Sequence, residues 1–198
     1  SRPPPGRAAP PEKMKAGKAS FEREYVMQLS RPDEPVRYAN LRGVDVSFIA
    51  CALLPQAGAR LQTVIEDSTF ASCGPHDCAM NNVVLRNVVV DGLDTGESLF
   101  LRRLALDRVV LKGRVGQLQT YRISQDPDIE PAELFALDER LRRFYRSVDY
   151  ALDIRDIDAY GLVLAGVPGR LVLRDPRRTA LVSRRRLVTL GCTASNVR

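Results

Sequence analysis

The chain has 198 residues, a formal net charge of +6 and an apolar share of 44%. This length fits one domain of ordinary size with extensions, and the apolar share is sufficient for a packed core. Trp is absent, so Val, Leu and Ile must form most of that core. No apolar run reaches the length of about 18 residues that a membrane-spanning helix needs, so no transmembrane segment is predicted.

The charge is unevenly distributed along the chain. Residues 1–20 contain five Lys or Arg and one acidic residue, and residues 174–198 contain seven Arg and one Asp. The 18 basic and 22 acidic residues between these ends form a mildly acidic body. Two basic ends on such a body indicate an anionic partner, either an acidic protein face, anionic lipid or nucleic acid.

Residues 1–37 differ in composition from the rest. Their first half, SRPPPGRAAPPEKMKAGKAS, contains five of the thirteen prolines together with Gly, Ala and Lys. Pro-rich segments with so few large apolar side chains build no core of their own and favour extended, polyproline-like conformations. We therefore predict a basic, extended arm over residues 1–37.

From Tyr38 onward, apolar residues recur at steps of five. An α-helix would repeat every 3.6 residues and a flat strand every 2, so neither explains this spacing. Four steps make a unit of about twenty residues, which fits a chain coiling through four short faces with apolar side chains turned inward. The sequence thus predicts a mainly β fold, a short right-handed parallel β-helix (a solenoid) over residues 38–188. The residues at these steps are Leu41, Val46 and Cys51; Leu85 and Val90; Leu99, Leu104 and Val109; Leu101, Leu106 and Leu111; and Leu152, Ile157, Leu162, Val167 and Val172.

One amphipathic α-helix is predicted over about residues 131–150. Its apolar residues are spaced by three and four, and Pro131 fits the first turn. Asp138–Arg142 and Glu139–Arg143 are i,i+4 pairs that we expect on its outer face. Because a coil exposes its core at both ends, we expect this helix to pack across the coil or over one end as a cap.

A C-terminal β-hairpin is predicted over about residues 170–188. Its strands would be Arg170–Arg174 and Ala180–Val188, joined by a turn at Asp175-Pro176. This hairpin would close the other end of the coil, and residues 189–198 would form a tail.

The stretch YANLRGVDVSF resembles the A-(D/N)-L-x-x unit of pentapeptide-repeat proteins, whose fold is a four-sided right-handed β-helix. The segments VLRNVVVDGLDTGESLFLRRLALDRVVLKGRVG and FYRSVDYALDIRDIDAYGLVLAGVPGRLVLRDP are similar to a group of mostly actinobacterial proteins with pentapeptide-like repeats. In that group, too, a helix at the start of the F-Y-x-S-V-D segment interrupts the coil. The resemblance covers roughly residues 38–188 and implies a fold but no activity. Some pentapeptide-repeat proteins bind DNA gyrase as strongly acidic DNA mimics, whereas this chain has a mildly acidic body and basic ends.

The stretch CGPHDC contains Cys73, Cys78 and the only histidine, His76. Together with Cys51 and Cys192 these residues could bind zinc, but no C-x-x-C pair of the usual kind accompanies them. A Cys73–Cys78 disulfide is a second alternative. We favour a turn in which both cysteines are small inward side chains of the coil, and we predict no metal and no cofactor.

Four aspartates lie at and beyond the end of the predicted helix, with Arg155 among them. Long β-helix enzymes that cleave polysaccharides use aspartates on one face for acid–base work, which makes a carbohydrate-active enzyme one alternative. This chain has room for only about five or six coils of twenty residues, too few for the deep grooves of those enzymes. Solvated outward positions explain the aspartates more simply, and no catalytic residue is assigned. The aspartates are Asp149, Asp153, Asp156 and Asp158.

The basic ends carry the residues for which we predict a binding role. Arg side chains at alternate strand positions would bind carboxylates or phosphates through paired hydrogen bonds. Residues 174–198 contain no aromatic residue that could stack on a base, which ranks nucleic acid behind an acidic protein face or anionic lipid. The predicted partner-binding residues are Arg2, Arg7, Lys13, Lys15, Lys18, Arg177, Arg178, Arg184, Arg185 and Arg186.

These observations favour a non-enzymatic scaffold or accessory subunit. It would dock onto protein subunits of a larger assembly, or onto a second copy of itself, through the face of its coil and its basic ends. A nucleic-acid-binding or topoisomerase-binding modulator is the alternative. Four cysteines without clear pairing favour a reducing intracellular compartment. An organelle is the alternative location, because Ser1 in place of Met is compatible with a removed presequence.

Overall fold

The computed structural model of the protein describes residues 20–22, 25–27, 37–49, 52–53, 63–76, 78–95, 99–121 and 130–182. This part of the chain is mainly β, as predicted, with fifteen strands in one hydrogen-bonded network and one α-helix. The helix is α1 (Pro131–Phe144). The strands are β1 (Ser20–Glu22), β2 (Tyr25–Met27), β3 (Arg37–Ala39), β4 (Arg42–Val44), β5 (Ser47–Ile49), β6 (Ala52–Leu53), β7 (Thr63–His76), β8 (Ala79–Asn81), β9 (Val83–Leu93), β10 (Leu99–Arg102), β11 (Ala105–Asp107), β12 (Val109–Tyr121), β13 (Leu152–Asp153), β14 (Ile157–Leu164) and β15 (Val172–Leu173). Within these ranges no helix has the length and apolar content to cross a membrane.

Every strand pairing among these residues is parallel, and its register follows the repeat of the sequence. Ile65 lies opposite Leu85 and Leu85 lies opposite Leu106, offsets of 20 and 21 residues. Leu152 lies opposite Val172, again an offset of 20 residues. Most other pairings have offsets of 19 to 22 residues, whereas the pairings of β3, β4 and β5 with β7 and of β6 with β8 have an offset of 27, and those of β12 with β13 and β14 have offsets of 43 and 44. The unit of about twenty residues that the apolar steps predict is therefore the commonest period at which the chain returns to pair with itself.

Strand pairing begins upstream of Tyr38. β1 pairs with β4, and β2 pairs with β5, both in parallel. The stretch SFEREYVM, which contains both strands, is rich in the aromatic and β-branched residues that favour strands. Part of the segment 1–37, for which an extended arm is predicted, thus belongs to the sheet, while residues 1–19 lie outside the described residues.

Left-handed backbone residues mark the bends of this repeat. Eight residues other than glycine have φ angles between 49° and 58°, and they occur in pairs five residues apart. Most L-residues avoid this region, whereas Asn and Asp enter it most readily, and five of the eight are Asn or Asp. The step of five is therefore a property of the backbone as well as of the apolar side chains. The eight residues are Asn40, Asp45, Asp67, Ser72, Asn82, Asn87, Arg103 and Arg108.

These left-handed residues form columns, in which each lies beside its counterpart on the paired strand. Asn87 lies beside Asp67, and its Nδ2 donates a hydrogen bond of 2.8 Å to Asp67 Oδ1. Arg108 extends this column, since the residues before it and before Asn87 are paired in register. Gly92 and Gly113, with φ of 75° and 68°, continue a second column. Each column repeats one backbone conformation on paired strands, and the β9–β12 ladder shifts its register by one residue between Lys112 and Val115, beside Gly113.

The residue after each of the eight bends is buried. These residues are Leu41, Val46, Ser68, Cys73, Val83, Val88, Leu104 and Val109. Those residues of the five-residue steps that lie within the described part are either buried or packed against the core, which confirms their predicted inward placement. Cys51 lies outside the described residues.

Helix α1 is shorter than predicted. It begins at Pro131, as expected, but ends at Phe144, well before residue 150. Arg142 forms the predicted ion pair with Asp138, at 3.2 Å. The predicted Glu139–Arg143 pair was wrong, because Glu139 contacts Arg142 instead. One guanidinium thus bridges both carboxylates on the outer face of the helix.

Tyr145, directly after α1, joins the helix to the sheet. Its side chain is 3% exposed. Its hydroxyl accepts a hydrogen bond of 3.3 Å from the Leu106 amide and donates one of 3.4 Å to the Leu104 carbonyl. Among the described strands, β11 pairs only with β9, so the tyrosine hydroxyl supplies bonds that a further strand would otherwise make. Arg140 adds a 3.2 Å hydrogen bond to Asn82 Oδ1, which places α1 across the side of the sheet.

The segment predicted as a C-terminal hairpin has a different local structure. Gly169–Leu171 is a 3₁₀ turn, and only Val172–Leu173 is a strand, which pairs in parallel with β13. A turn follows Asp175, whose carbonyl accepts hydrogen bonds of 3.1 and 2.9 Å from the amides of Arg178 and Thr179. Residues 180–182 form no strand, and residues 183–188 lie outside the described residues. The repeat explains the difference, because Val172 takes its place one unit after Leu152 and continues the parallel ladder.

We expect Tyr145→Phe to lower the free energy of unfolding by about 1–3 kcal/mol, since it leaves a buried amide and a buried carbonyl without partners. Urea titration followed by circular dichroism would measure the change. Tyr150→Phe, at a half-buried tyrosine nearby, is the matched control and should change stability by less than about 0.5 kcal/mol. Equal effects of the two variants would contradict the role given to the Tyr145 hydroxyl.

The same tyrosine should make stability fall at high pH. Burial raises the pKa of Tyr145 to about 12, although its hydrogen bond with Leu106 opposes this shift. Between pH of about 10 and 12 the unfolded phenol ionises and the folded one does not, so the free energy of unfolding should decline by up to about 2–3 kcal/mol. Tyr145→Phe should lack this contribution. An equal decline of the free energy of unfolding in the two proteins over this pH range would contradict the role given to the Tyr145 hydroxyl.

Candidate functional site

The outer face of the sheet carries a ladder of alternating charges. Glu66, Arg86 and Asp107 occupy one register position on three successive strands. Arg86 lies 3.7 Å from the Glu66 carboxylate and 3.1 Å from that of Asp107. Arg37 contacts Glu66 at one end, and Arg108 lies 3.4 Å from Asp107 at the other. Opposite charges on adjacent strands attract one another, so these ion pairs stabilise the outer face of the sheet.

A second pair repeats the arrangement on a neighbouring column. Lys112 lies directly opposite Asp91 in the β9–β12 ladder, and their charged atoms are 3.1 Å apart. Both side chains are about half exposed, so the pair contributes little by itself. It shows that the register can bring an outward charge on one strand opposite its partner on the next.

The four aspartates predicted after the helix do not behave as one set. Asp149, Asp156 and Asp158 are exposed, whereas Asp153 is buried. Arg155 Nη2 donates a hydrogen bond of 2.6 Å to Asp153 Oδ2, and Arg155 Nε donates one of 3.0 Å to Oδ1. These bonds lower the pKa of Asp153, chiefly through the hydrogen bonds from the Arg155 side chain. The general acid of a glycosidase needs the opposite shift, a raised pKa.

Cys73 and Cys78 are buried, and no disulfide joins them. The Cys73 thiol donates a hydrogen bond of 3.5 Å to the Ala71 carbonyl. Burial raises the pKa of Cys73, whereas a metal-binding or nucleophilic cysteine needs a lowered one. Within the described part of the chain, no three His, Cys, Asp or Glu residues are grouped closely enough to hold a metal ion. The side chain of His76 and the whole of Cys51 and Cys192 lie outside what the structure describes.

The remaining candidates are basic residues at the C-terminal end of the sheet. Arg177 and Arg178 are both exposed and lie on the turn that follows β15. The amide of Arg177 donates a hydrogen bond of 2.9 Å to Asp175 Oδ1, which fixes the turn. Arg178 Nη2 donates one of 3.3 Å to the carbonyl of Ile157, at the start of β14. The turn is therefore held against the sheet while the Arg177 side chain remains exposed.

Two further arginines belong to the same end and were not among the predicted residues. Arg170 is exposed on the 3₁₀ turn before β15. Arg174 is half-buried, and its Nη1 donates a hydrogen bond of 2.6 Å to the Thr179 carbonyl. The sequence repeat could have indicated that both arginines belong to this end, because residues 170–174 lie one unit of twenty residues beyond residues 150–154. The pairing of β15 with β13 has the same offset. The predicted residues Arg2, Arg7, Lys13, Lys15, Lys18, Arg184, Arg185 and Arg186 lie outside the described residues.

Comparison of the chain with protein-family models, with curated proteins and with solved structures gives no match. The resemblance to pentapeptide-repeat proteins accordingly stays a prediction from the quoted motifs.

The charge ladder predicts unequal effects of two carboxylate substitutions. Glu66→Gln removes a buried charge shared by Arg37 and Arg86 and should lower the free energy of unfolding by about 1–3 kcal/mol. Glu139→Gln breaks a contact with an exposed arginine on α1 and should cost less than about 1 kcal/mol. Urea unfolding of both variants measures the difference. A larger effect at Glu139 would contradict the stabilising role of the ladder.

Proposed function

We propose that the sheet is a right-handed parallel β-helix of the pentapeptide-repeat kind. The offsets of 20 and 21 residues and the columns of left-handed bends support a chain that coils with a period of about twenty residues. Parallel strands joined by crossovers within one sheet are right-handed in roughly 98% of cases, which favours that hand.

This coil, in our proposal, acts as a non-enzymatic scaffold or accessory subunit that binds an acidic protein face with its C-terminal end. One observation carries the proposal. Arg170 and Arg177 are exposed at the C-terminal end and have no carboxylate of the described residues within ion-pair distance, whereas the Glu66–Arg86–Asp107 ladder and the Asp91–Lys112 pair neutralise one another on the body. Their charge is thus available to a partner.

The non-enzymatic part of the proposal rests on the groups that chemistry would use. Asp153 is engaged by Arg155, and the thiol of Cys73 is buried with a raised pKa. Neither group has the properties of a general acid or a nucleophile. A carbohydrate-active enzyme is therefore the weakest of the predicted alternatives.

A nucleic-acid or topoisomerase modulator is the competing proposal. Phosphates and carboxylates both accept paired hydrogen bonds from Arg, so the arginines alone do not separate the two partners. Asp156 and Asp158, exposed on either side of the carbonyl that Arg178 contacts, reduce the attraction of this end for a polyanion as highly charged as DNA.

Binding of model anions to the full chain tests the proposal. At about 150 mM salt, where weak non-specific DNA binding is screened, we expect poly-glutamate to bind more tightly than a duplex of about 20 base pairs. Arg177→Ala combined with Arg170→Ala should weaken poly-glutamate binding roughly 2- to 30-fold, as expected for two exposed ion pairs. Fluorescence anisotropy of labelled probes would give both affinities.

The matched control is Arg143→Ala combined with Arg146→Ala, which removes the same charge from exposed positions at and just after the end of α1. This variant should bind poly-glutamate almost as the unaltered protein does. An equal loss in both variants would mean that net charge, rather than this end, determines binding. Tighter binding to the duplex than to poly-glutamate would replace the proposal by the nucleic-acid alternative.

A further inference from the structure

The interior of the sheet contains a cavity of about 160 Å³. Side chains from successive strands line it, and they follow the columns of the repeat. Ile65, Leu85 and Leu106 form one such column, in direct register. Phe70, Val90 and Leu111 form a second column of the same kind. The cavity is thus a feature of the repeated architecture and spans several turns of the chain.

The lining of this cavity is apolar. Its few residues with polar side-chain groups include Thr120, whose hydroxyl is bonded to the carbonyls of Ala165 and Val163 at 3.0 and 3.3 Å. The Cys73 thiol is likewise bonded to the Ala71 carbonyl. A buried water needs about two to four polar partners, and an apolar cavity of about 150 Å³ stays dry and binds small apolar molecules. The interior therefore suits an apolar occupant.

The register of the lining residues also indicates a shape. Tyr38, Ile65, Leu85 and Leu106 are successive members of one ladder and all line the cavity. At a strand spacing of about 4.8 Å, three spacings extend over roughly 14 Å. A cavity of this volume that extends over such a length is narrow, so a linear chain fits it better than a branched or globular molecule of the same size.

We propose that the interior of the sheet is a binding site for a linear alkyl chain. The ligand class follows from the apolar lining, which offers no group to a polar ligand, and from the length of the ladder that borders the cavity. The site is separate from the basic end and does not depend on the scaffold function proposed above.

Two isomeric alkanes test this proposal on the unaltered full chain. n-Hexane and 2,2-dimethylbutane share one formula but differ in width, so a narrow site should bind the branched isomer about tenfold or more weakly. Spectra of protein labelled at Leu and Val methyl groups report the site. We expect n-hexane to cause saturable shifts at Leu85, Leu106 and Leu111. Val163, which is 53% exposed, and Leu181, which is 40% exposed, should not shift.

A cavity-filling variant provides a second, independent test. Val88 is 2% exposed and lines the cavity, so Val88→Ile adds one carbon to its interior. This substitution should weaken n-hexane binding several-fold, since little spare width remains. Val163→Ile makes the same change at an exposed position of β14 and should leave the affinity unchanged.

Three results would overturn the proposal. The first is the absence of interior methyl shifts with n-hexane, and the second is equal affinity for the two isomers. The third is shifts of Val163 and Leu181 as large as those of the interior methyl groups, which would indicate adsorption to the surface. Should Val88→Ile fail to fold, the comparison of isomers on the unaltered protein decides the question alone.

Discussion

The fold depends on one backbone constraint, the pairs of left-handed residues that lie five positions apart. Such a residue bends the chain either between two short strands, as Asn40 does, or within a long strand, as Asp67 does in β7, and these bends lie beside one another on paired strands. Asn and Asp tolerate this conformation, and Gly occupies it where a column continues at positions 92 and 113. The apolar step of five follows, since the residue after each of the eight bends is buried.

This register determines which side chains line the interior of the sheet and which lie on its outer face. Inside it, aliphatic side chains of like position stack on one another, which builds an apolar core and leaves a narrow cavity along the ladder. Outside, the same register places Glu66, Arg86 and Asp107 on neighbouring strands, where their charges attract. A ladder of side chains thus neutralises the body locally, and the C-terminal end retains exposed arginines.

The helix shows how such a sheet tolerates an insertion. Val109 pairs with Leu152, an offset of 43 residues that includes α1, and the ladder resumes beyond it with its usual period. Tyr145 makes this possible, because its hydroxyl bonds the Leu106 amide in β11 and the Leu104 carbonyl just before it, which the insertion would leave without partners. The buried Tyr145 side chain thus makes two hydrogen bonds that a neighbouring strand would otherwise make.

The sequence by itself determined the period, the inward residues and the start of the helix, since all three depend on local spacing and backbone preference. Leu104, Leu106 and Val109 are buried where the steps of five place them. Only the tertiary structure decided that β1 and β2 join the sheet, that Glu139 meets Arg142, and that Val172 continues a parallel ladder. Each of these depends on pairing between distant or competing partners, which spacing along one chain does not specify. For the same reason the interior cavity could not be foreseen, because packing gaps arise from the fit of columns that meet only in the folded protein.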